Sequence, residues 1–248
     1  VSDIYIITVP TPLKENNKPD IVYVKTAIKS ISKVLKNGDM IILESTSPVG
    51  TTEKITSWLK SERPELNYPN EHSQNNCISI AYCPERVIPG NTINELINND
   101  RIIGGISINC TNKAIKFYNL FVKGHCESTD SKTAEMVKLV ENTYRDVNIA
   151  FSNELSILCD DLDINVWSLI KFSNKHPRVN ILQPGPGVGG HCIAIDPWFL
   201  IDNSYNKAKL MKTARDVNIN KTEFIKNKIR KEILKFENDI TVACFGIT

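Results

Sequence analysis

Three apolar runs, Asp3–Pro10 (DIYIITVP), Asp39–Thr46 (DMIILEST) and Cys77–Pro84 (CISIAYCP), each break off into a loop of proline, glycine and small polar residues. Dense runs of this length, bounded by turn residues, read as strands buried on both faces. Between them Tyr23–Leu35 and Thr51–Glu62 place apolar residues at helical spacing, and Asn37-Gly38 stops the first in the manner of a C-cap. A further run, Arg101–Ile106, and a helical stretch over 111–122 extend the alternation, with a loop rich in Pro, Gly and Asn ahead of them. Strand and helix in turn at this spacing predict a parallel sheet with helices on both faces. Ligands of such sheets bind beyond the carboxyl ends of the strands. Here those ends are VPTP, ESTSPVG and YCPERVIPG.

From Ser131 the pattern changes. SKTAEMVKLVENTYRDVNIAFSNELSILCDDL has no Gly or Pro and keeps helical periodicity, and a second helical zone runs from about Lys207 to Phe236. The tail DITVACFGIT reads as a fresh strand. An apolar content of 41% suffices for a buried core, and a formal charge of +2 with interspersed signs argues against a nucleic-acid partner. No apolar run is long enough to cross a bilayer, so no membrane partner is expected. Seven scattered cysteines without a C-x-x-C pair signal neither a zinc ribbon nor a redox dithiol. They fit a reducing, cytoplasmic setting, with most thiols packed as small core groups.

Between the two helical zones lies QPGPGVGGHCIAIDPW, with Gly185, Gly187 and Gly190 in a G-x-G-x-x-G frame. A dinucleotide fingerprint needs a strand before it and a helix after it, because the helix N-terminus holds the pyrophosphate. Pro184 and Pro186 interrupt the frame, and Pro197 is expected to disrupt a helix that follows. The phosphate-loop reading therefore fails its context. Two readings remain open for the loop: a tight turn with a buried Cys192, or a loop whose glycines admit a substrate and free backbone N–H groups for an oxyanion while Cys192 attacks a carbonyl. Lys138, Asn142 and Arg145, at i, i+4 and i+7, share one face of the long helix. They are read either as a solvated polar face or as site groups. Asp196, four residues past Cys192, either caps the turn before Pro197 or activates a water. His125 and Cys126 lack further ligands at metal spacing, so no metal is expected.

The runs VPTPLK, ILESTSPVGTTE, YCPERVIPG, RIIGG, AEMVKLVENTYRDVNIAFSNEL, HPRVNILQPGPGVGGHCIAIDPWFL and ACFGIT stand in the same order as in the UDP-glucose/GDP-mannose dehydrogenase family, which the chain resembles over nearly its whole length. The resemblance implies an α/β fold: a partial Rossmann-type parallel sheet followed by an all-helical central, dimerising domain. It divides the chain into the later part of an NAD-binding domain (1–123), a central helical domain with the cysteine loop (124–237), and the first strand of a UDP-sugar-binding domain (238–248). It implies NAD-dependent, two-step oxidation of a UDP-sugar C6 alcohol to the uronate. UDP-N-acetyl-D-mannosamine is the favoured substrate, with UDP-N-acetylglucosamine or UDP-glucose as alternatives. Such uronates usually feed surface polysaccharides in this family.

The same resemblance assigns roles by position. Cys192 is the catalytic thiol, passing through a thiohemiacetal and a thioester, which is covalent catalysis. Lys138 contacts the reacting oxygen, Asn142 is its hydrogen-bonding partner, Asp196 serves the water, and Glu85 lies near nicotinamide and water. Thr11 and Thr46 contact NAD. Arg86, Val87, Lys138, Asn142, Arg145, His176, Arg178 and Gly185 meet the sugar nucleotide, and arginines suit its diphosphate and acyl oxygens. The resemblance also implies a homodimer through the long helix; His191, by contrast, is read from its position alone, since residues adjacent in the chain rarely form a Cys-His pair, as a structural group near the thiol. The family's opening strand with a true G-x-G-x-x-G turn, and most of its last domain, have no counterpart in these residues. The chain is therefore expected to be the middle of a longer protein, active as part of it or inactive alone.

Overall fold

In the computed structural model, which describes residues 2–69, 76–88, 90–203, 207–236 and 240–245, the apolar runs form one five-stranded sheet. Its strands lie side by side in chain order: β1 (Ile4–Ile7), β2 (Met40–Leu43), β3 (Ser79–Tyr82), β4 (Arg101–Gly105) and β5 (Cys126–Asp130). β1, β2 and β3 are parallel, with Ile4 opposite Met40 and Met40 opposite Ser79. β4 runs antiparallel to β3, with Gly105 opposite Ala81, and β5 is parallel to β4. The sheet is thus parallel over its first three strands and mixed overall. An antiparallel return places the start of β4 at the edge where β3 ends, so Arg101 stands beside the carboxyl ends of β2 and β3.

The pleat sends alternate residues to opposite faces. Ile41, Leu43, Ile80 and Tyr82 pack on one face against α1 (Val22–Ser32) and α2 (Thr51–Glu62), through Val24, Ile28, Ile55 and Leu59. Met40, Ile42, Ala81 and Cys83 pack on the other against Ala114 and Tyr118 of α4 (Ile108–Tyr118). β2 and β3 are buried along their whole length, which is why they read as unbroken apolar runs. The edge strand β1 leaves Ile6 44% exposed.

Helix starts follow local chemistry. The Ser107 hydroxyl accepts the Cys110 N–H to cap α4, and Asn165 accepts the Ser168 N–H to cap α6 (Val166–Ser173). A short α3 (Thr92–Asn98) occupies the loop between β3 and β4, and β5 extends the sheet past residue 123. α5 (Ser131–Asp161) and α8 (Lys209–Ile233) fall in the two expected helical zones. The expectation that Pro197 prevents a helix is wrong: α7 (Asp196–Asn203) starts with Asp196-Pro197, and proline is tolerated in a first turn because its missing N–H has no helical partner there. Residues 240–245 carry no strand, although one was expected over the tail. No neighbouring segment among the described residues supplies a ladder, and Phe245 is 96% exposed. The remaining tail residues lie outside the described ones.

The chain divides into two compact units. The first comprises Val1–Thr143 with Ile195–Ala208 and holds the sheet. The second comprises Tyr144–Ala194 with Lys209–Thr248, and its regular structure among the described residues is helical.

Candidate active site

In the first unit, three successive turns at the start of α5 each grip a different segment. Glu135, fully buried, accepts the Gly50 N–H at 2.5 Å, the Thr52 N–H at 2.8 Å and the Thr52 hydroxyl at 2.6 Å. Its carboxylate thereby fills the N-terminus of α2, where the helix dipole favours an anion. One turn on, the Lys138 ammonium donates to the Glu85 carbonyl at 2.5 Å. One turn further, Asn142 Nδ2 donates to Asp196 Oδ2 at 2.5 Å. Asp196 is 3% exposed, and burial lifts its carboxyl to about 6, against the opposing pull of the Asn142 hydrogen bond and the Lys138 charge.

The loops after β2 and β3 meet this helix, the first at Glu135 and the second at Lys138 and Glu141. Glu44 and Ser45 donate their N–H groups to the Ile7 carbonyl, tying the ends of β1 and β2 together. Thr11 and Thr46, half-buried, follow those ends. Glu85 Oε1 accepts the Val87 N–H at 2.5 Å and so shapes the loop after β3. Arg86 forks onto Glu141, with Nη2 2.7 Å from Oε1 and Nε 3.2 Å from Oε2, and reaches the Asp100 carbonyl. Its guanidinium is thus already paired, with 30% of the side chain exposed.

A buried cluster at the same edge went unread in the sequence. The Tyr118 hydroxyl donates to Glu44 Oε1, and the Arg101 guanidinium lies 5.6 Å from the Tyr118 ring centroid. Arg101 is 2% exposed; Nη2 donates to the Leu96 carbonyl, while Nε and Nη1 have no hydrogen-bond partner. Burial pushes the Cys83 thiol up to about 12, which removes it as a nucleophile.

The second unit carries the glycine loop. Cys192 and His191 are exposed, as are Arg145, His176 and Arg178; His176 Nδ1 accepts the Arg178 N–H at 3.3 Å. The start of the loop is seated between α5 and α8. Gly185 donates its N–H to Asn153 Oδ1 at 2.9 Å, and the Thr222 hydroxyl donates to the Pro186 carbonyl at 3.1 Å. The Gly185 N–H is therefore not free for an oxyanion. Gly187 has φ +150°, and a Cβ there would lie 2.2 Å from Thr222 Oγ1, so only glycine fits. Beneath the loop, Asn153 Nδ2 donates to Asn218 Oδ1 at 2.8 Å, Asn218 Nδ2 to Asp146 Oδ1 at 2.8 Å, and Arg215 Nη1 to the same oxygen at 2.6 Å. Burial raises the Asp146 carboxyl even with Arg215 beside it. The amide positions 153 and 218 are legible only as helix residues in the sequence, since their partners are distant along the chain.

Of the seven thiols, Cys77, Cys83, Cys110 and Cys159 are buried, Cys126 is half-buried, and Cys192 and Cys244 are exposed. Among the described residues no group of three or more His, Cys, Asp or Glu is placed to hold a metal ion, and no helix is long and apolar enough to cross a membrane. No pyrophosphate cradle is formed among the described residues: the α2 N-terminus is taken by Glu135, and no strand precedes the glycine frame at 185–190.

Residues 1–122 match the NAD binding domain of the UDP-glucose/GDP-mannose dehydrogenase family, and residues 132–220 match its central domain. The UDP-N-acetyl-D-mannosamine dehydrogenase of Campylobacter jejuni is 56% identical over 250 residues, covering 99% of this chain and 60% of the relative. The NDP-N-acetyl-D-galactosaminuronic acid dehydrogenase of Ralstonia nicotianae is 51% identical over 247 residues, covering 100% of this chain and 58% of the relative. A solved UDP-D-ManNAc dehydrogenase from Pyrococcus horikoshii superposes with a TM-score of 0.86 at 41% identity, over 94% of this chain and 54% of that one. The chain thus spans a little over half the length of the proteins it matches.

Proposed function

This chain belongs to the UDP-glucose/GDP-mannose dehydrogenase family, and from that premise we propose that the protein oxidises the C6 hydroxymethyl group of a nucleoside-diphosphate 2-acetamido sugar to the carboxylate in two NAD-dependent steps. The observation that carries the site is the buried Asn142–Asp196 bond on the helix face that also carries Lys138. A carboxyl near 6 is ionised at neutral pH yet close enough to it to take a proton. The acetamido class rests on the two relatives named for N-acetylmannosamine and N-acetylgalactosaminuronic acid.

NAD, when bound, accepts the hydride released in each step. The Cys192 sulfur adds to the C6 aldehyde, forming a C–S bond and a thiohemiacetal; loss of a second hydride and the hydroxyl proton leaves a thioester. Asp196 takes a proton from the water that attacks the thioester, and C–S cleavage releases the carboxylate and the thiol. Lys138 offsets the charge on the reacting oxygen, and Asn142 orients Asp196. Thr11, Thr46 and Glu85 take the cofactor side. Arg86, Val87, Arg145, His176, Arg178 and Gly185 take the sugar nucleotide.

The long helix α5 exposes Met136, Val140, Tyr144, Phe151 and Leu158, apolar groups that water leaves unburied in a lone chain. They form the proposed homodimer face, and Phe151→Glu is expected to halve the mass seen by light scattering.

The test is NADH formation with UDP-N-acetyl-D-mannosamine, then UDP-N-acetylgalactosamine, UDP-N-acetylglucosamine and UDP-glucose. Two NADH per sugar, lost in Cys192→Ser, is the expected result; equal turnover in that variant refutes the mechanism. A second reading, that the 248-residue chain alone is catalytically silent, is favoured by the lack of a pyrophosphate cradle among its described residues. Turnover by the 248-residue chain itself refutes it.

A further inference from the structure

The polar seam under the glycine loop has a direction. Arg215 fixes Asp146 as an acceptor, with 4% and 0% of the two side chains exposed. Asp146 Oδ1 and its backbone carbonyl take both hydrogens that Asn218 Nδ2 can give, at 2.8 and 3.1 Å. Asn218 must therefore present its oxygen to Asn153, which must present its NH2 group in return. That leaves Asn153 Oδ1 facing the Gly185 N–H, which it accepts at 2.9 Å. Asn153 is fully buried and Asn218 is 1% exposed, so water does not reset either amide. Pro184 and Pro186 have no N–H, and Gly185 is the single backbone donor in that stretch.

We infer that Asp146, Asn218 and Asn153 form a one-way hydrogen-bond relay that seats Gly185, and that they are positioning residues for the loop carrying Cys192. A buried ion pair at one end dictates the orientation of two amides and, through them, the register of the loop at the other. The inference rests on the proposed reading only in giving the Cys192 thiol its chemistry; the seating of the loop stands apart from turnover.

Hydrogen exchange at Gly185, the one exchangeable amide between the two prolines, reads the relay directly. At pH 8, Asn153→Asp is isosteric and, as a carboxylate, still accepts from Gly185 but cannot donate to Asn218. It is expected to speed Gly185 exchange about tenfold, the worth of one or two net hydrogen bonds. Asn218→Asp sets a carboxylate against Asp146, with Arg215 and, one turn on, Lys221 as the charged neighbours on α8. Corrected for intrinsic rate, its Gly185 protection is expected to approach wild type near pH 5, where a shared proton lets it donate, and to fall about tenfold by pH 8. Asn218→Ala is expected to lose protection at both. The alkylation rate of Cys192 by iodoacetamide, read by peptide mass spectrometry at pH 8, is expected to depart from wild type in step with Gly185. Wild-type exchange in Asn153→Asp, or a pH-independent Asn218→Asp, overturns the relay. Loosened Gly185 with unchanged Cys192 alkylation reduces it to a structural seam and overturns the positioning role. Both assays need no substrate, so a failed dehydrogenase assay and a failed relay are separate results.

Discussion

Replacing Asp196 by Asn removes a titration while keeping a shape, and the consequence for stability follows from its surroundings. In the folded chain burial raises the carboxyl from 3.8 to about 6. In the unfolded chain it returns to about 3.9. The native state therefore binds the proton more tightly, and between those two values it holds more protons than the unfolded state. Unfolding free energy then falls as pH rises, and the contribution of this group, fully present below about pH 4, is lost through about pH 6. A difference of about 2 pK units corresponds to about 3 kcal/mol, of which about 2 kcal/mol is lost between about pH 4.5 and 7.5. The asparagine variant lacks this dependence. Urea unfolding of both proteins by tryptophan fluorescence across that range is expected to show wild type losing about 2 kcal/mol relative to Asp196→Asn as pH rises. Subtracting the two curves cancels the fixed cost of the substitution. Asn142→Ala removes a bond that lowers the Asp196 pKa, so in that background the same step is expected to move to higher pH. A flat difference curve, or one that rises with pH, refutes the assignment of Asp196 as a carboxyl strained by burial.

Three further outcomes follow from the geometry. Gly187→Ala must hold φ +150° and meets Thr222 Oγ1 at 2.2 Å; it is expected to cost about 2–4 kcal/mol, with Thr222→Ala restoring the steric part only, as read by thermal melts. Arg215→Met strands the buried Asp146 carboxylate and is expected to cost about 3–5 kcal/mol, whereas Asp146→Leu with Arg215→Met recovers only part of that in urea unfolding, because one Asn218 Nδ2 hydrogen loses its acceptor. A thiol titration with an aromatic disulfide is expected to find Cys192 and Cys244 reacting first in the native chain and the four buried thiols only after denaturation.

Much of the fold was legible because the signals were local. β2 and β3 are apolar at every position, and α1, α2, α5 and α8 carry helical periodicity, so each announces itself within a few residues. β5 did not, because CESTD is a half-exposed edge strand whose place is set by pairing with β4, and pairing has no sequence period. The reversal of β4 was hidden for the same reason: a loop containing α3 looks like a crossover until its exit is known. α6 carries a readable signal, Asn165 three residues before Ser168, whereas α7 is masked because Pro197 in its first turn has the same signature as a helix breaker.

The candidate site divides along the same line. Lys138 and Asn142 were visible as a helix face, and Cys192 and Asp196 as a glycine-rich neighbourhood, because residue types at short spacing carry that chemistry. Glu135 lies one turn before Lys138 on the same face and was not visible, since its meaning comes from Gly50 and Thr52, more than 80 residues earlier in the chain. Yet it is this contact that fixes the start of α5 against the end of the β2 loop. Lys138 and Asn142 take their places from the rigid helix that Glu135 anchors, one helical turn apart from each other and from it. A side chain that never meets a ligand can thus set where two that are proposed to do so must stand. Such a residue is found by asking where a buried carboxylate finds its donors, a question that only the folded chain answers.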